Sequence, residues 1–214
     1  MQILKFNELP STHLFLSQKL RTQELKSPIV VVADRQSGGI GSRGNSWDSV
    51  EDGLYFSFSL NVTNLPDDLP IESTSIYMGF IFKEVLNVYK ANVWLKWPND
   101  LYVDNKKVGG ILCTKIRNDI LVGIGVNFKV SNEAFGAIEV DISKEAILND
   151  FIEKIKFIKK TISWKQIFSK YSLEFSNNFN YSFNHQGKII SLANALLCND
   201  GAIMINKEKI YSLR

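Results

Sequence analysis

Residues 93–129 read VWLKWPNDLYVDNKKVGGILCTKIRNDILVGIGVNFK, and this stretch decides the fold class. Apolar runs at residues 93–96, 101–103, 108–116 and 120–129 are separated by connections as short as Asp104-Asn105-Lys106 and Arg117-Asn118-Asp119. Turns of that length predict successive strands paired antiparallel. Two features are foreign to ordinary strands. Gly109-Gly110 and the pair Gly123 and Gly125 remove side chains from strand interiors, which costs stability and marks close approach by a ligand or another backbone. Lys96-Trp97-Pro98-Asn99-Asp100 sets a cation, an indole, a rigid turn, an amide and a carboxylate between two strands, poor material for a core and good material for a site. Taken alone, the pentapeptide also reads as a Pro-Asn-Asp turn with an anchoring tryptophan. Lys107 stands at the mouth of the glycine approach or is a solvated hairpin lysine, and Asn127 carries an amide able to read an adenine edge.

Working outward toward the N-terminus, residues 29–33 form a continuous β-branched run, the pattern of a strand buried on both faces. It empties into Gln36-Ser37-Gly38-Gly39-Ile40-Gly41-Ser42-Arg43-Gly44, whose backbone amides could cradle a phosphate or carboxylate, or which is simply a surface loop. The spacing of Gly39, Gly41 and Gly44 matches a dinucleotide fingerprint, but Asn45-Ser46-Trp47 opens no apolar helix, and no Lys-Ser or Lys-Thr follows to make a Walker loop. A first strand at 3–6 and a Ser11-Thr12 cap leading a helix with Leu14, Leu16, Leu20 and Leu25 precede it. Residues 54–60 alternate as a strand with one apolar and one more polar face. Residues 73–90 form a helix buried over much of its circumference by Tyr77, Ile81 and Val85 beside Met78, Phe82 and Leu86.

Toward the C-terminus, Ile147, Phe151, Ile155 and Ile158 mark a helix, and Ser163 with Gln166 forms a capping box opening another over residues 164–175. A linker at 177–180 leads to short strands with turns at Gln186-Gly187, Asn199-Asp200-Gly201 and Lys207-Glu208. The division expected is a main domain over residues 1–178 and a small β domain over 179–214, too short to stand without leaning on the first.

The 214 residues suffice for one ordinary domain with an appendage, and 45% apolar with 22% charged residues is a globular composition. Twenty-five basic against 22 acidic side chains give +3, too mild a charge to indicate nucleic-acid binding. Cys113 and Cys198 lie far apart with no histidines nearby, so buried free thiols in a reducing compartment are expected, not a disulfide framework or a zinc site. No secretory pattern opens the chain, and no run of about 18 apolar residues would span a membrane, which makes a cytoplasmic location the expectation.

The order Ser11-Thr12, Gln36 ahead of a glycine loop ending in Trp47, then KWPNDLY, KKVGGIL and GIGVNF resembles the catalytic domain of biotin protein ligases over nearly the whole chain. The resemblance implies an α+β fold related to class II aminoacyl-tRNA synthetases: a mixed, largely antiparallel sheet with helices on one side, and a small C-terminal SH3-like β domain. It implies ATP-dependent activation of biotin to biotinyl-5'-AMP with release of pyrophosphate, then transfer to a lysine of a biotin carboxyl carrier protein. By position, Ser11, Thr12, His13, Gln36, Gly39, Gly41, Ser42, Lys107, Gly109 and Gly110 would surround biotin. Ile40, Ser42, Arg43, Trp47, Lys96, Asn99, Lys107 and Asn127 would serve ATP and the adenylate, and Lys107, Asp100 and Arg43 the chemistry, Asp100 also as a Mg²⁺ ligand.

The loop departs from the family's Gly-Arg-Gly-Arg-x-Gly-Arg-x-Trp: both inner arginines are replaced, by Ile40 and Ser42, and His13 stands where asparagine is common. A lipoate ligase is the alternative enzyme, and a non-catalytic biotin-binding module a further one. Family members that repress transcription carry an N-terminal helix-turn-helix, whereas a first strand at Ile3 leaves no room for one. The expectation is a ligase with no DNA or membrane partner, as a monomer or weak homodimer.

Overall fold

The computed structural model describes residues 1–42, 45–50, 52–130 and 136–211. Arg43 lies outside them. In chain order the main elements are β1 (Gln2–Leu9), α1 (Thr12–Arg21), β2 (Ile29–Gln36), β3 (Gly39–Ile40), β4 (Ser46–Trp47), β5 (Asp52–Asn61), α2 (Thr74–Val88), β6 (Trp94–Lys96), β7 (Asp100–Val103), β8 (Lys106–Ile116) and β9 (Asp119–Lys129). Helices α3 (Lys144–Lys156), α4 (Ile158–Thr161) and α5 (Trp164–Glu174) follow, then β10 (Ser182–His185), β11 (Lys188–Ser191), β12 (Leu196–Leu197), β13 (Ile203–Ile205) and β14 (Glu208–Ile210).

Seven strands form one sheet in the order β1-β2-β5-β9-β8-β7-β6. Only β1 and β2 run parallel, so the sheet is mixed and largely antiparallel, as the short turns dictate. On one face lie α2, α3 and α5, sealing a core in which Phe56, Phe58, Phe82 and Phe151 meet edge-on or stacked at 5.2–6.3 Å.

The expectation of helices on one side holds for those three, and α1 is the exception. It lies on the opposite face, where Leu16 and Leu20 pack with Ile29, Val31, Ala33 and Leu121 in a separate, smaller core. An amphipathic stripe states that a helix buries one side but not against which face of a sheet, and that is why the sequence left α1 unplaced. The more polar face of β5 is likewise not solvated: Ser57 and Ser59 are buried, covered by α1 and the segment before β2.

The small C-terminal β region is present as a two-stranded sheet, β10-β11, and a three-stranded one, β12-β13-β14. It grips the KWPND loop. The Trp97 indole donates to Gly201 O at 3.0 Å and its ring meets Phe183 at 5.0 Å, while Trp97 N donates to Asn178 Oδ1, just ahead of that region, at 2.7 Å. The last hairpin turns at Asn206-Lys207, both with positive φ, one residue earlier than the Lys207-Glu208 reading. Cys113 is buried as expected, whereas Cys198 is half-exposed. Among the described residues no helix is long and apolar enough to cross a membrane.

Candidate active site

On the α1 face the sheet is left partly unpacked, and a cleft opens there. Its floor is made of Ser57, Gly110, Leu112, Gly123 and Gly125 from β5, β8 and β9. Across the β8-β9 pair Gly110 stands opposite Gly125, and Leu112 opposite Gly123. The N-terminus of α1 forms one wall, and the β3-β4 hairpin folds over the top. There the indole of Trp47 lies over the glycines: a Cβ on Gly125 would stand 3.1 Å from the ring and one on Gly110 3.5 Å away. Trp47 Nε1 is buried and has no partner among the described residues.

The buried end of the cleft is polar and neutral. Ser11 caps α1, accepting from Leu14 N, and so fixes Thr12 and His13 at the first turn. Gln36 Oε1 accepts from Thr12 N at 2.8 Å and from Thr12 Oγ1 at 3.1 Å, and Thr12 Oγ1 is 2.9 Å from Ser57 Oγ. The Gln36 Nε2 lies beside the β3-β4 pair, 3.0 Å from where a Cβ on Gly39 would stand. His13, in the first turn of α1, has its Nε2 3.0 Å from Thr114 Oγ1, and burial lowers its pKa to about 4, so the ring is uncharged at neutral pH.

The mouth is charged. Asp100 lies between two ammonium groups, Lys107 Nζ at 2.6 Å from Oδ1 and Lys96 Nζ at 3.4 Å from Oδ2. Lys107 also sits 5.5 Å from the centre of the Trp47 ring. It reaches the cleft because of an irregularity in β8. In a regular strand Lys107 would share a face with Ile111, which belongs to the core. The β7-β8 register shifts between Leu101 and Tyr102, leaving Val108 as the extra residue, and this bulge reverses the alternation. Val108 turns into the core and Lys107 into the cleft.

Of the residues singled out in the sequence, Ser11, Thr12, His13, Gln36, Ile40, Gly41, Ser42, Trp47, Asn99, Asp100, Lys107 and Gly110 line this one cleft. Four expected residues do not line it. Gly39 pairs with Trp47 in the hairpin, Gly109 packs on Leu101, Lys96 forms an ion pair with Asp100, and Asn127 is buried with its Nδ2 donating to Gly136 O and its Oδ1 without a partner among the described residues. Sequence reasoning missed Ser57, whose signal was a hydroxyl inside a strand buried on both faces. No three His, Cys, Asp or Glu side chains gather as a metal-binding group among the described residues. With both its oxygens facing lysines, Asp100 does not make a Mg²⁺ site by itself.

Residues 5–131 match the biotin/lipoate A/B protein ligase family. The crystal structure of the biotin acetyl coenzyme A carboxylase synthetase from Helicobacter pylori with bound biotinylated ATP superposes with a TM-score of 0.93 at 40% identity, covering 98% of this chain and 99% of that one. The biotin protein ligase from Aquifex aeolicus in complex with biotin and ATP shares the fold, with a TM-score of 0.75 at 24% identity over 100% of this chain and 96% of that one. Biotin–protein ligase 2 of Arabidopsis thaliana is 29% identical over 187 residues, 84% of this chain. Across the curated relatives it matches, the chain spans 34% to 53% of their length. With more than half of its residues inside the family match, and with the cleft assembled from the motifs that signalled it, the chain belongs to the biotin/lipoate A/B protein ligase family.

Proposed function

We propose that this protein is an ATP-dependent biotin protein ligase. The observation that carries the reading is the contrast along the cleft: a neutral hydrogen-bonding end made by Thr12, Gln36, Ser57 and His13, and a cationic mouth at Lys107. Biotin has the matching layout, a cyclic urea at one end and a carboxylate at the other. Lipoate carries the same kind of carboxylate on a dithiolane that can satisfy none of those polar groups, and leaving them unpaired costs about 1–3 kcal/mol each. The Helicobacter pylori relative, which carries biotinylated ATP, agrees with this choice.

In the first step a biotin carboxylate oxygen attacks the α-phosphorus of ATP; the new O–P bond forms and the bond to pyrophosphate breaks. The carboxylate is already ionised near pH 7, so no general base is needed. Lys107 neutralises charge between the two anions, and Trp47 with the β3-β4 hairpin excludes water from the mixed anhydride. Asp100 holds Lys107 and Lys96 in place before ATP arrives. Mg²⁺ bound with ATP would supply counter-charge to its phosphates, and among the described residues no cluster of three His, Cys, Asp or Glu side chains would cage it.

In the second step the acceptor lysine, after losing a proton, attacks the biotinyl carbonyl and AMP leaves. Asp100 is the carboxylate lining the cleft that can orient or receive that proton once Lys107 has turned to the phosphate. The acceptor is a biotin carboxyl carrier protein, the action is cytoplasmic and without DNA, and the protein works as a monomer or weak homodimer. The proposed division is a main domain over residues 1–178 and a small β domain over 179–214; the end of the last helical turn at Asn178 and the bracing of Trp97 by Gly201 support it. Exchange of labelled pyrophosphate into ATP tests the first step: biotin supports it and lipoate does not. Exchange with lipoate alone would reverse the assignment.

A further inference from the structure

Lys96 is the ammonium behind the charged mouth of the cleft, and aromatic rings gather against it. Strands β6 and β7 pair with Lys96 opposite Asp100 and Trp94 opposite Tyr102. Side chains alternate along a strand, and Leu95 and Leu101 belong to the core, so these two cross-strand pairs stand together on the other face. Lys96 is 6% exposed, and its Nζ lies 3.4 Å from Asp100 Oδ2, longer than the about 2.7–2.9 Å of a close ammonium–carboxylate bond. The same Nζ is 5.5 Å from the centre of the Tyr102 ring and 5.9 Å from that of Tyr181. Both lie within the reach of about 6 Å at which the negative face of a ring attracts a cation.

The rings hold one another. Trp94, Tyr102 and Tyr181 meet pairwise at 5.2–5.3 Å, and Trp94 Nε1 donates to Asp104 O at 2.9 Å. Burial first, then the charge of Asp100, pushes the Tyr102 phenol above its ordinary range, so that ring stays neutral beside the ammonium. Tyr181 comes from the C-terminal β region, just ahead of β10. Its N–H donates to Asn178 O at 2.9 Å and its carbonyl accepts from Leu192 N at 2.8 Å, which fixes its backbone. The contact reaches the reacting end of the cleft by a short chain of charges. Lys96 faces Asp100 Oδ2, and Lys107 faces Asp100 Oδ1 at 2.6 Å. The place of Lys96 therefore sets how Asp100 presents Lys107 to a substrate.

We propose that Tyr181 is a positioning residue for adenylate formation: with Tyr102 it holds the Lys96 ammonium against its ring face, and through Lys96 it sets the Asp100–Lys107 pair. The inference rests on the ligase reading and deepens it. It makes the C-terminal β region a contributor to turnover and not to biotin affinity, because the neutral end of the cleft is built by Thr12, Gln36 and Ser57 from α1, β2 and β5.

The test replaces Tyr181 with phenylalanine and with mono-, di- and trifluorophenylalanine, which keep the ring and nearly its volume while withdrawing negative charge from its face. Tyr181→Phe is expected to run biotin-dependent pyrophosphate exchange near the native rate. Along the fluorinated series kcat falls in step with each added fluorine, to about a tenth at three, while the biotin Kd measured by calorimetry stays constant. Tyr181→Leu, which has no ring face, loses about as much turnover. A packing role would leave the rate indifferent to fluorine. That flat series would overturn the inference and leave the ligase reading in place, as would a loss of biotin affinity that matches the loss of kcat. Absence of biotin-dependent exchange in the native protein would overturn both.

Discussion

The two faces of the central sheet are packed on opposite principles. Against α2, α3 and α5 the sheet packs a continuous core of buried apolar side chains, and Phe56, Phe58, Phe82 and Phe151 interlock there. Against α1 the same strands present Ser57, Gly110, Gly123 and Gly125, and the cleft occupies the volume that side chains would otherwise take. The first face carries the stability of the domain so that the second can forgo packing and expose polar groups to a ligand. Substitutions on the filled face should therefore move folding, and those on the open face binding and turnover.

The largest expected effect lies on the filled face. Phe151→Ala removes a ring fully enclosed by three others and lowers the unfolding free energy by about 3–5 kcal/mol, while the folded fraction keeps its biotin affinity; urea denaturation paired with calorimetry measures both. Next is the pH dependence of His13, which belongs to the open face. Its pKa falls from 6.5 to about 4 on folding, so between those values the unfolded chain binds more protons than the native one. Stability from this residue is complete above about pH 6.5 and is lost as pH falls toward 4, on the order of 3 kcal/mol in all. Denaturation midpoints followed over that window should flatten in His13→Gln, and an unchanged slope would assign the acid sensitivity to another group.

Lys107→Ala comes third. It slows adenylate formation by about a hundredfold, with a smaller loss of biotin affinity, because its charge matters most as negative charge builds between the two anions. Stability changes little, the side chain being 41% exposed. Equal losses in affinity and turnover, read by calorimetry and pyrophosphate exchange, would count against that role. The smallest effect concerns the hairpin above the cleft. Ile40 lines the cleft without a charge to hold a phosphate. Ile40→Arg should slow the escape of biotinyl-adenylate from the isolated protein several-fold, as followed by rapid filtration.

Much of both faces was legible in the sequence, for different reasons. The filled face follows from periodicity: the double stripe on α2 and the Ser163–Gln166 capping box of α5 are local patterns that tertiary structure had no reason to override. The glycines of β8 and β9 were legible because strand interiors rarely tolerate them. What escaped was set by long-range register. Ser57 joins the cleft only because Thr12, 45 residues earlier in the chain, lands beside it. The reach of Lys107 depends on a bulge at Val108 that no residue type announces, and the clamp of Asp100 between Lys96 and Lys107 exists only once β6, β7 and β8 are paired. The hydrogen bond from Asn127 Nδ2 to Gly136 O is a further contact that the strand pattern does not specify.

The most direct test of the account is to incubate the protein with ATP, Mg²⁺ and either biotin or lipoate, together with a biotin carboxyl carrier domain, and to weigh the carrier by mass spectrometry. The neutral, hydrogen-bonding end of the cleft predicts a biotin-sized mass gain on the carrier lysine and none with lipoate. A lipoyl-sized gain, or no modification by a protein that binds both ligands, would contradict it.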